Sequence, residues 1–325
     1  METQLVTSPK TVPQQLRRPF LEPLLSGEEL ARQQLEEQQA ALANDLALRA
    51  RASLDLSSLE LRAAQSRPLT DLRRLDLYRM HSAALPDDRV VSVYLPPQYL
   101  EDATRKFPVF YLHDGQNLFD PQTSYIPGRT WRAGSTADAV NRAGTAEPVI
   151  LVGIANTGLR RMAEYTPTRD PRMGGGEGDR YGALIIDELK PMIDRLYRTL
   201  PGATSTGLGG SSLGGLISLY LGLTHRDVFG RIAVLSPSIW WDQRSILRLV
   251  DRAQPTPELR IWLDIGTAEG SRHVRDTEKL NHILINRGWR PGIDLACRIV
   301  EGGMHDEDAW ADRFHQVLNF LFPAR

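Results

Sequence analysis

The run Gly209-Gly210-Ser211-Ser212-Leu213-Gly214-Gly215 has the residue types that a strained, nucleophilic serine needs around it. Its centre, Gly210-Ser211-Ser212-Leu213-Gly214, reads G-x-S-x-G with Ser212 in the middle. A β-rich stretch, TSTGL, precedes it, and an apolar helical stretch, LISLYLGL, follows. A strand that turns straight into a helix at a serine lifts the hydroxyl above the sheet, and small neighbours leave room for the turn. The new helix aims its first N–H groups at whatever the serine attacks. The chemistry implied is attack of Ser212 on an electrophilic carbon. The run does not match the dinucleotide G-x-G-x-x-G, and there is no G-K-[ST] for a phosphate loop.

A serine is a weak nucleophile without a base that is itself oriented. On a turn of this kind the partners follow the serine in the order acid, then histidine. Of the seven histidines, His273, His282, His305 and His315 lie well downstream. His305, in Glu301-Gly302-Gly303-Met304-His305-Asp306, falls in a loop between a predicted strand and the last predicted helix, from which it can reach Ser212. His273 is the second choice; His282 and His315 fall inside predicted helices. The acid is expected just past a predicted strand, in Asp264-Ile265-Gly266-Thr267-Ala268-Glu269-Gly270. Glu269 is the choice because it is on the loop, with Asp264 as the alternative. A developing oxyanion needs two N–H donors. One is the backbone of Leu213; the other is Gly115 or Gln116, in the loop His113-Asp114-Gly115-Gln116-Asn117. His113 precedes the serine and ends a strand, so a structural role is expected for it.

These residues require a frame. From about residue 71, β-rich runs alternate with amphipathic ones. Strands are predicted over 75–81, 90–95, 109–113, 149–154, 204–208, 232–235, 259–265 and 295–300, and helices over 182–196, 213–224, 275–288 and 309–321. Continuous apolar runs such as ILVGI suit strands covered on both faces. The first two strands are joined by Leu85-Pro86-Asp87-Asp88, a hairpin-like turn. The remaining alternation predicts an α/β domain over 71–325: a mostly parallel, eight-stranded sheet with helices on both faces. Residues 1–70 differ. They hold one glycine (Gly27) and one aromatic residue (Phe20), and are rich in Leu, Gln, Glu, Arg and Ala. That composition predicts a helical N-terminal extension. Ser26-Gly27-Glu28-Glu29 reads as a capping box, and Ala31, Leu35, Leu42 and Leu46 share one helical face. Two roles are open to it: an arm packed on its own domain, or a dimerisation or lid element that would make a homo-oligomer.

Composition excludes several functions. Lys+Arg 39 against Asp+Glu 40 leaves a net charge of -1, so there is no overall basic field for nucleic acid. Cys297 is the single cysteine, so neither an intrachain disulfide nor a cysteine zinc site can form. Its position on a predicted strand suits buried packing. No apolar run approaches the roughly 18 residues of a membrane span. The first residues lack a basic region followed by an apolar stretch, so a cytoplasmic protein is expected. No metal site is expected at His305-Asp306, because no second histidine lies at ligand spacing. Around the site, Trp240 and Trp241 are candidates for a pocket wall. Asn156, Arg160, Arg161 and Tyr165, in the loop after the strand at 149–154, could bind an anionic or hydroxylated substrate.

The segments VYLPPQY, PVFYLHDGQNLFD, GGSSLGGLISLYLGL, LSPSIWW, LDIGTAEG and EGGMHDEDAW together resemble the esterase-D-like branch of the α/β-hydrolases. That group includes enterochelin (siderophore) esterases, feruloyl and acetylxylan esterases, and mycolyltransferases. The resemblance covers about residues 71–325. It implies the α/β-hydrolase fold, a triad on Ser212, Glu269 and His305, an oxyanion donor at Gly115 or Gln116, and no cofactor. The paired Trp240 and Trp241 resemble the siderophore-esterase side. The leucine-rich N-terminal segment departs from the β-sandwich that many siderophore esterases carry in front. The expected function is hydrolysis of small-molecule carboxylic esters (short acyl, aryl or sugar esters) through an acyl-enzyme. Two alternatives use the same residues: an acyltransferase, and an esterase of catecholate trilactone siderophores. A non-catalytic binding protein ranks last.

Overall fold

The computed structural model describes residues 19–27, 29, 32, 71–256 and 259–324. Strands β1 (Phe20–Leu25), β2 (Leu75–His81), β3 (Arg89–Tyr94), β4 (Val109–His113), β5 (Ile150–Ile154), β6 (Thr206–Ser211), β7 (Arg231–Leu235), β8 (Arg260–Gly266) and β9 (Leu295–Val300) form one sheet. Its order is β1-β2-β3-β5-β4-β6-β7-β8-β9. From β5 to β9 across the sheet all neighbours are parallel; β1, β2 and β3 pair antiparallel.

The longer helices are α1 (Ala133–Arg142), α2 (178–196), α3 (Leu213–Thr224), α4 (Trp241–Val250), α5 (Ser271–Asn286) and α6 (Glu307–Leu321). α2 is interrupted by a π-helical stretch, Leu184–Leu189. Each strand feeds two cores because its side chains alternate. Val109 and Tyr111 of β4 join one core with residues of α2, α3, α4 and α5. Phe110 and Leu112 join the other, with α1 and α6. The parallel arrangement brings the C-terminal ends of β4, β6, β7, β8 and β9 to one edge, where ligand sites of open α/β sheets form. No helix among the described residues is long and apolar enough to cross a membrane.

Among the described residues the sheet has nine strands where the sequence predicts eight, because Phe20–Leu25 adds to the edge of β2. Helix-type composition concealed this strand, since the residues it pairs with, from Phe20↔His81 to Leu25↔Leu77, are far away in sequence. Pro23 is tolerated because β1 is an edge strand and its register shifts between Pro23 and Leu25. Phe20 stacks on His81 with ring centroids 4.2 Å apart. The capping box is present: Glu29 N donates to Ser26 Oγ at 3.3 Å, and Ser26 N donates to Glu29 Oε2 at 2.8 Å. Ala31, Leu35, Leu42 and Leu46, and with them the two roles open to that face, a packed arm or a homo-oligomer contact, lie outside the described residues. Cys297, on the edge strand β9, is half-buried, and burial pushes its thiol up to about 11.

One ion pair clamps the 155–165 loop to the sheet. Arg89 Nη1 and Nη2 meet Glu164 Oε2 and Oε1 at 3.0 and 3.1 Å, and both side chains are fully buried. Removing one partner strands a buried charge, which costs about 3–5 kcal/mol. Glu164→Ala is therefore expected to lower unfolding free energy by about that amount. Denaturant titration checks it, and a loss below about 1 kcal/mol would show that the pair is dispensable.

Candidate active site

Ser212 sits between the end of β6 and the start of α3 with φ 61° and ψ -122°. Few residues adopt such angles, and the strain is held by the surroundings. Ser212 N donates to Leu235 O at 3.0 Å, and Ser212 O accepts from Ser238 N at 3.0 Å and Leu216 N at 3.1 Å. Glycine is required beside it: a Cβ on Gly215 would lie 2.8 Å from Leu235 O. The side chain emerges into a cleft of about 230 Å³ lined by Ser212, Ser236, Pro237, Ser238, Trp240, Ile265, Glu269, His273 and His305. Ser212 Oγ lies 3.3 Å from Ser238 Oγ.

His305 and Glu269 reach this cleft from two loops that are laced together. A short 3₁₀ turn, Thr267–Glu269, follows β8, while His305 precedes α6. Ala268 N donates to Gly303 O at 3.1 Å and Gly302 N donates to Thr267 Oγ1 at 2.8 Å. His305 Nδ1 lies 2.7 Å from Glu269 Oε2, and its ring meets Trp310 edge-on at 5.0 Å. An ionised carboxylate only accepts, so Nδ1 carries the proton and Nε2 is left as a base. Asp306 caps α6 by accepting from Ala309 N at 2.9 Å, and Arg129 Nη1 donates to its other oxygen at 3.0 Å.

The other oxygen of Glu269 accepts from Ser236 Oγ at 2.7 Å and Gly266 N at 2.8 Å. Burial pushes this carboxyl up, but the bonds from His305, Ser236 and Gly266 outweigh it and hold it below its ordinary value. Asp264 is fully buried and turned elsewhere. It accepts from Trp262 Nε1 at 2.7 Å and lies 3.0 Å from Arg313 Nη2. Burial leaves its carboxyl above the usual value despite Arg313. Of the two sequence candidates, Glu269 is the one beside an imidazole. His273 shares the cleft wall. His282 Nδ1 instead meets Glu278 O at 2.7 Å, and His315 is exposed on α6.

Leu213 opens α3 next to Ser212, while Gly115 and Gln116 form a 3₁₀ turn directly after β4. A Cβ on Gly115 would come within 2.5 Å of the Gly153 carbonyl carbon, so only glycine lets this turn lie against β5. Arg161 Nε and Nη2 each donate to Asp114 at 2.7 Å, as does Asn156 Nδ2, and Asn156 N donates to Gln116 Oε1 at 3.2 Å. Asn156 and Arg161 thus brace the turn. Arg160 is taken up by Asp87 at 3.2 Å and Glu177 at 2.6 Å. Trp240 lines the cleft.

Two of the proposed pocket residues do not face it. Trp241 is 1% exposed, and its Nε1 donates to Thr168 O at 2.9 Å. Tyr165 is fully buried against His113 and Tyr181. In both cases the ring supports a loop from below, because a large apolar face gains more from burial than from the cleft. His113 is buried behind the serine turn, Nδ1 2.8 Å from Tyr181 Oη, and burial pulls its pKa down to about 3. It is therefore neutral and structural, as its place at a strand end predicts.

Ser236, Ser238, Trp310 and Arg313 were not singled out from sequence. Two signals could have found them. Ser236-Pro237-Ser238 follows β7 at the functional edge, and Arg313 sits on the apolar side of α6 among Trp310, Phe314 and Val317. A cation on such a face needs a buried carboxylate opposite.

Residues 82–321 match the Esterase protein family. The chain is 26% identical over 248 residues to YbbA of Bacillus subtilis (strain 168), covering 72% of this chain and 93% of that one. It is 28% identical over 183 residues to the ferri-bacillibactin esterase BesA of the same organism, covering 51% of this chain and 59% of BesA. Among solved structures, the BES protein from Bacillus cereus superposes with a TM-score of 0.63 at 22% identity, over 79% of this chain and 97% of that one. With a G-x-S-x-G serine at the C-terminal edge of an α/β-hydrolase sheet and a match across residues 82–321, the chain belongs to the Esterase family and is a carboxylic-ester hydrolase.

Proposed function

We propose that the protein hydrolyses esters through Ser212, His305 and Glu269 by way of an acyl-enzyme. The observation that carries this reading is the sharing of one cleft by the strained Ser212 and the His305–Glu269 pair, joined at 2.7 Å. In the resting arrangement Ser212 Oγ is paired with Ser238; on substrate binding it turns to His305 Nε2, the kind of contact that tightens in the Michaelis complex. Ser212 Oγ attacks the ester carbonyl while His305 takes its proton. The N–H groups of Leu213 and of Gly115 or Gln116 receive the oxyanion. His305 then protonates the leaving alcohol as the C–O bond breaks. Water, deprotonated by His305, attacks the acyl-enzyme and releases the acid and Ser212. Glu269 keeps the imidazole in the right tautomer and stabilises its cation. No cofactor enters the scheme.

The substrate class we infer is a short acyl, aryl or sugar ester. The cleft walls include Ser236, Ser238, Glu269 and His273 as well as Trp240. A long chain gains about 0.8 kcal/mol per methylene only where apolar walls bury it. Acyl groups of about two to four carbons should be turned over, and those above about ten should be poor substrates. The test is kcat/KM across an acyl-length series; a rate climbing steadily to the longest chains would point to a lipase-like pocket. A second reading, a catecholate trilactone siderophore ester, is favoured by the relationship to BesA and by Trp240 at the cleft. Comparing trilactone, feruloyl and acetyl-sugar esters at equal enzyme separates the two. Acyl-acceptor competition separates hydrolysis from acyl transfer.

A further inference from the structure

Behind Glu269 lies a group of side chains that the reaction scheme above leaves without a role. Ser236 Oγ accepts from Trp310 Nε1 at 2.9 Å and from Arg313 Nη2 at 2.7 Å. A hydroxyl has two lone pairs and one proton. With both lone pairs engaged, its proton is directed to Glu269 Oε1, 2.7 Å away. Gly266 N donates to the same oxygen at 2.8 Å, so Oε1 is saturated and Oε2 is left for His305. Arg313 Nη2 also stands 3.6 Å from Glu269 Oε1 and 3.0 Å from Asp264 Oδ1. Arg313 and Glu269 are 4% and 3% exposed, and Asp264 is fully buried, so these charges act with little solvent screening. All of Asp264's partners donate to it, as a carboxylate requires. Two carboxylates therefore share one guanidinium.

We propose that Ser236 and Arg313, backed by Trp310 and Asp264, are positioning residues that aim the Glu269 carboxylate at His305 and keep it ionised. The inference rests on the Ser212–His305–Glu269 reading. Ser236 has φ 43°, a left-handed conformation in which glycine is at ease. Losing its side chain therefore relieves backbone strain, and the Ser236→Gly variant separates the hydroxyl's role from a structural one. The charged groups that face Glu269 are His305 before α6, Arg313 on α6, Asp264 on β8 by way of Arg313, and His273 on the first turn of α5 across the cleft.

The sign follows from the donor. A hydroxyl bonded to the carboxylate favours its charged form and lowers its pKa, so removing that hydroxyl raises it. A more basic carboxylate holds the proton of His305 more strongly, so the acidic limb of kcat/KM, which reports protonation of the base His305, should move to higher pH by about one unit. We expect Ser236→Ala and Ser236→Gly to show this shift, with kcat lower by about tenfold and any change in KM smaller than that. Wild type and both variants are assayed across pH on one p-nitrophenyl ester, and labelled with a fluorophosphonate whose site is mapped by mass spectrometry. Label on Ser212 with an unshifted limb and unchanged kcat in Ser236→Gly overturns this proposal alone. Label on another residue, or none on wild type, overturns the reading beneath it and this proposal with it. If Ser236→Ala fails to fold, Ser236→Gly decides.

Discussion

Ser212→Ala should abolish labelling by a fluorophosphonate and lower ester turnover by about 10⁴-fold or more. The size follows from the role assigned. Without the Oγ there is no acyl-enzyme, and what is left is substrate binding and the oxyanion N–H groups. The fold should survive, because alanine keeps the Cβ and needs the same φ 61° that serine already adopts. The 3.3 Å contact with Ser238 Oγ is the only side-chain hydrogen bond recorded for Ser212 among the described residues, so little stability goes with it. His305→Ala should approach the same loss, since residues that act as a unit are not additive. Full turnover in Ser212→Ala, with an unchanged melting curve, would sink the mechanism.

The second large effect separates the two carboxylates. Glu269→Gln should lower kcat by about 10⁴-fold while leaving the protein folded. The glutamine oxygen can still accept from Ser236 Oγ and Gly266 N, which now meet Oε1. Its amide then faces His305 Nδ1 as a donor, forcing the imidazole proton onto the nitrogen that must act as base. Asp264→Asn should do the reverse. It takes from the buried Arg313 the nearer of its two carboxylates and leaves Glu269 at 3.6 Å, costing about 1.5–3 kcal/mol of stability, with a smaller, indirect loss of kcat. Steady-state kinetics and denaturant titration of the two variants together give the answer. If Asp264→Asn lowers kcat more than Glu269→Gln, the acid has to be reassigned.

Much of this site was legible one residue at a time. Ser212 is marked by glycines that only a tight strand-to-helix turn needs. His305 is marked by lying in a loop, when its rivals His282 and His315 have helical neighbours. Glu269 and Asp264 could be ranked only by their distance from the strand end. Trp241 and Tyr165 mislead for a different reason. Both lie in segments that reach the functional edge, yet sequence does not show which way an aromatic ring points from a loop, and both point inward.

The sequence by itself determined the alternation of strands and helices and the glycine-rich turn that carries Ser212. These depend on local causes: side-chain periodicity, capping, and the steric demands of glycine at specific backbone angles. Tertiary structure alone decided which carboxylate meets the imidazole. Asp264 and Glu269 are five residues apart, and their roles diverge because β8 buries one against Arg313 while the turn after it carries the other to His305. It also decided that Phe20–Leu25 is a strand, since an edge strand is made by the free backbone groups of its neighbour, here β2, rather than by its own residues. Ser236 belongs with these. Its hydroxyl is oriented by Trp310 and Arg313, more than 70 residues away in sequence, and only the packing of α6 beneath the sheet edge brings them together.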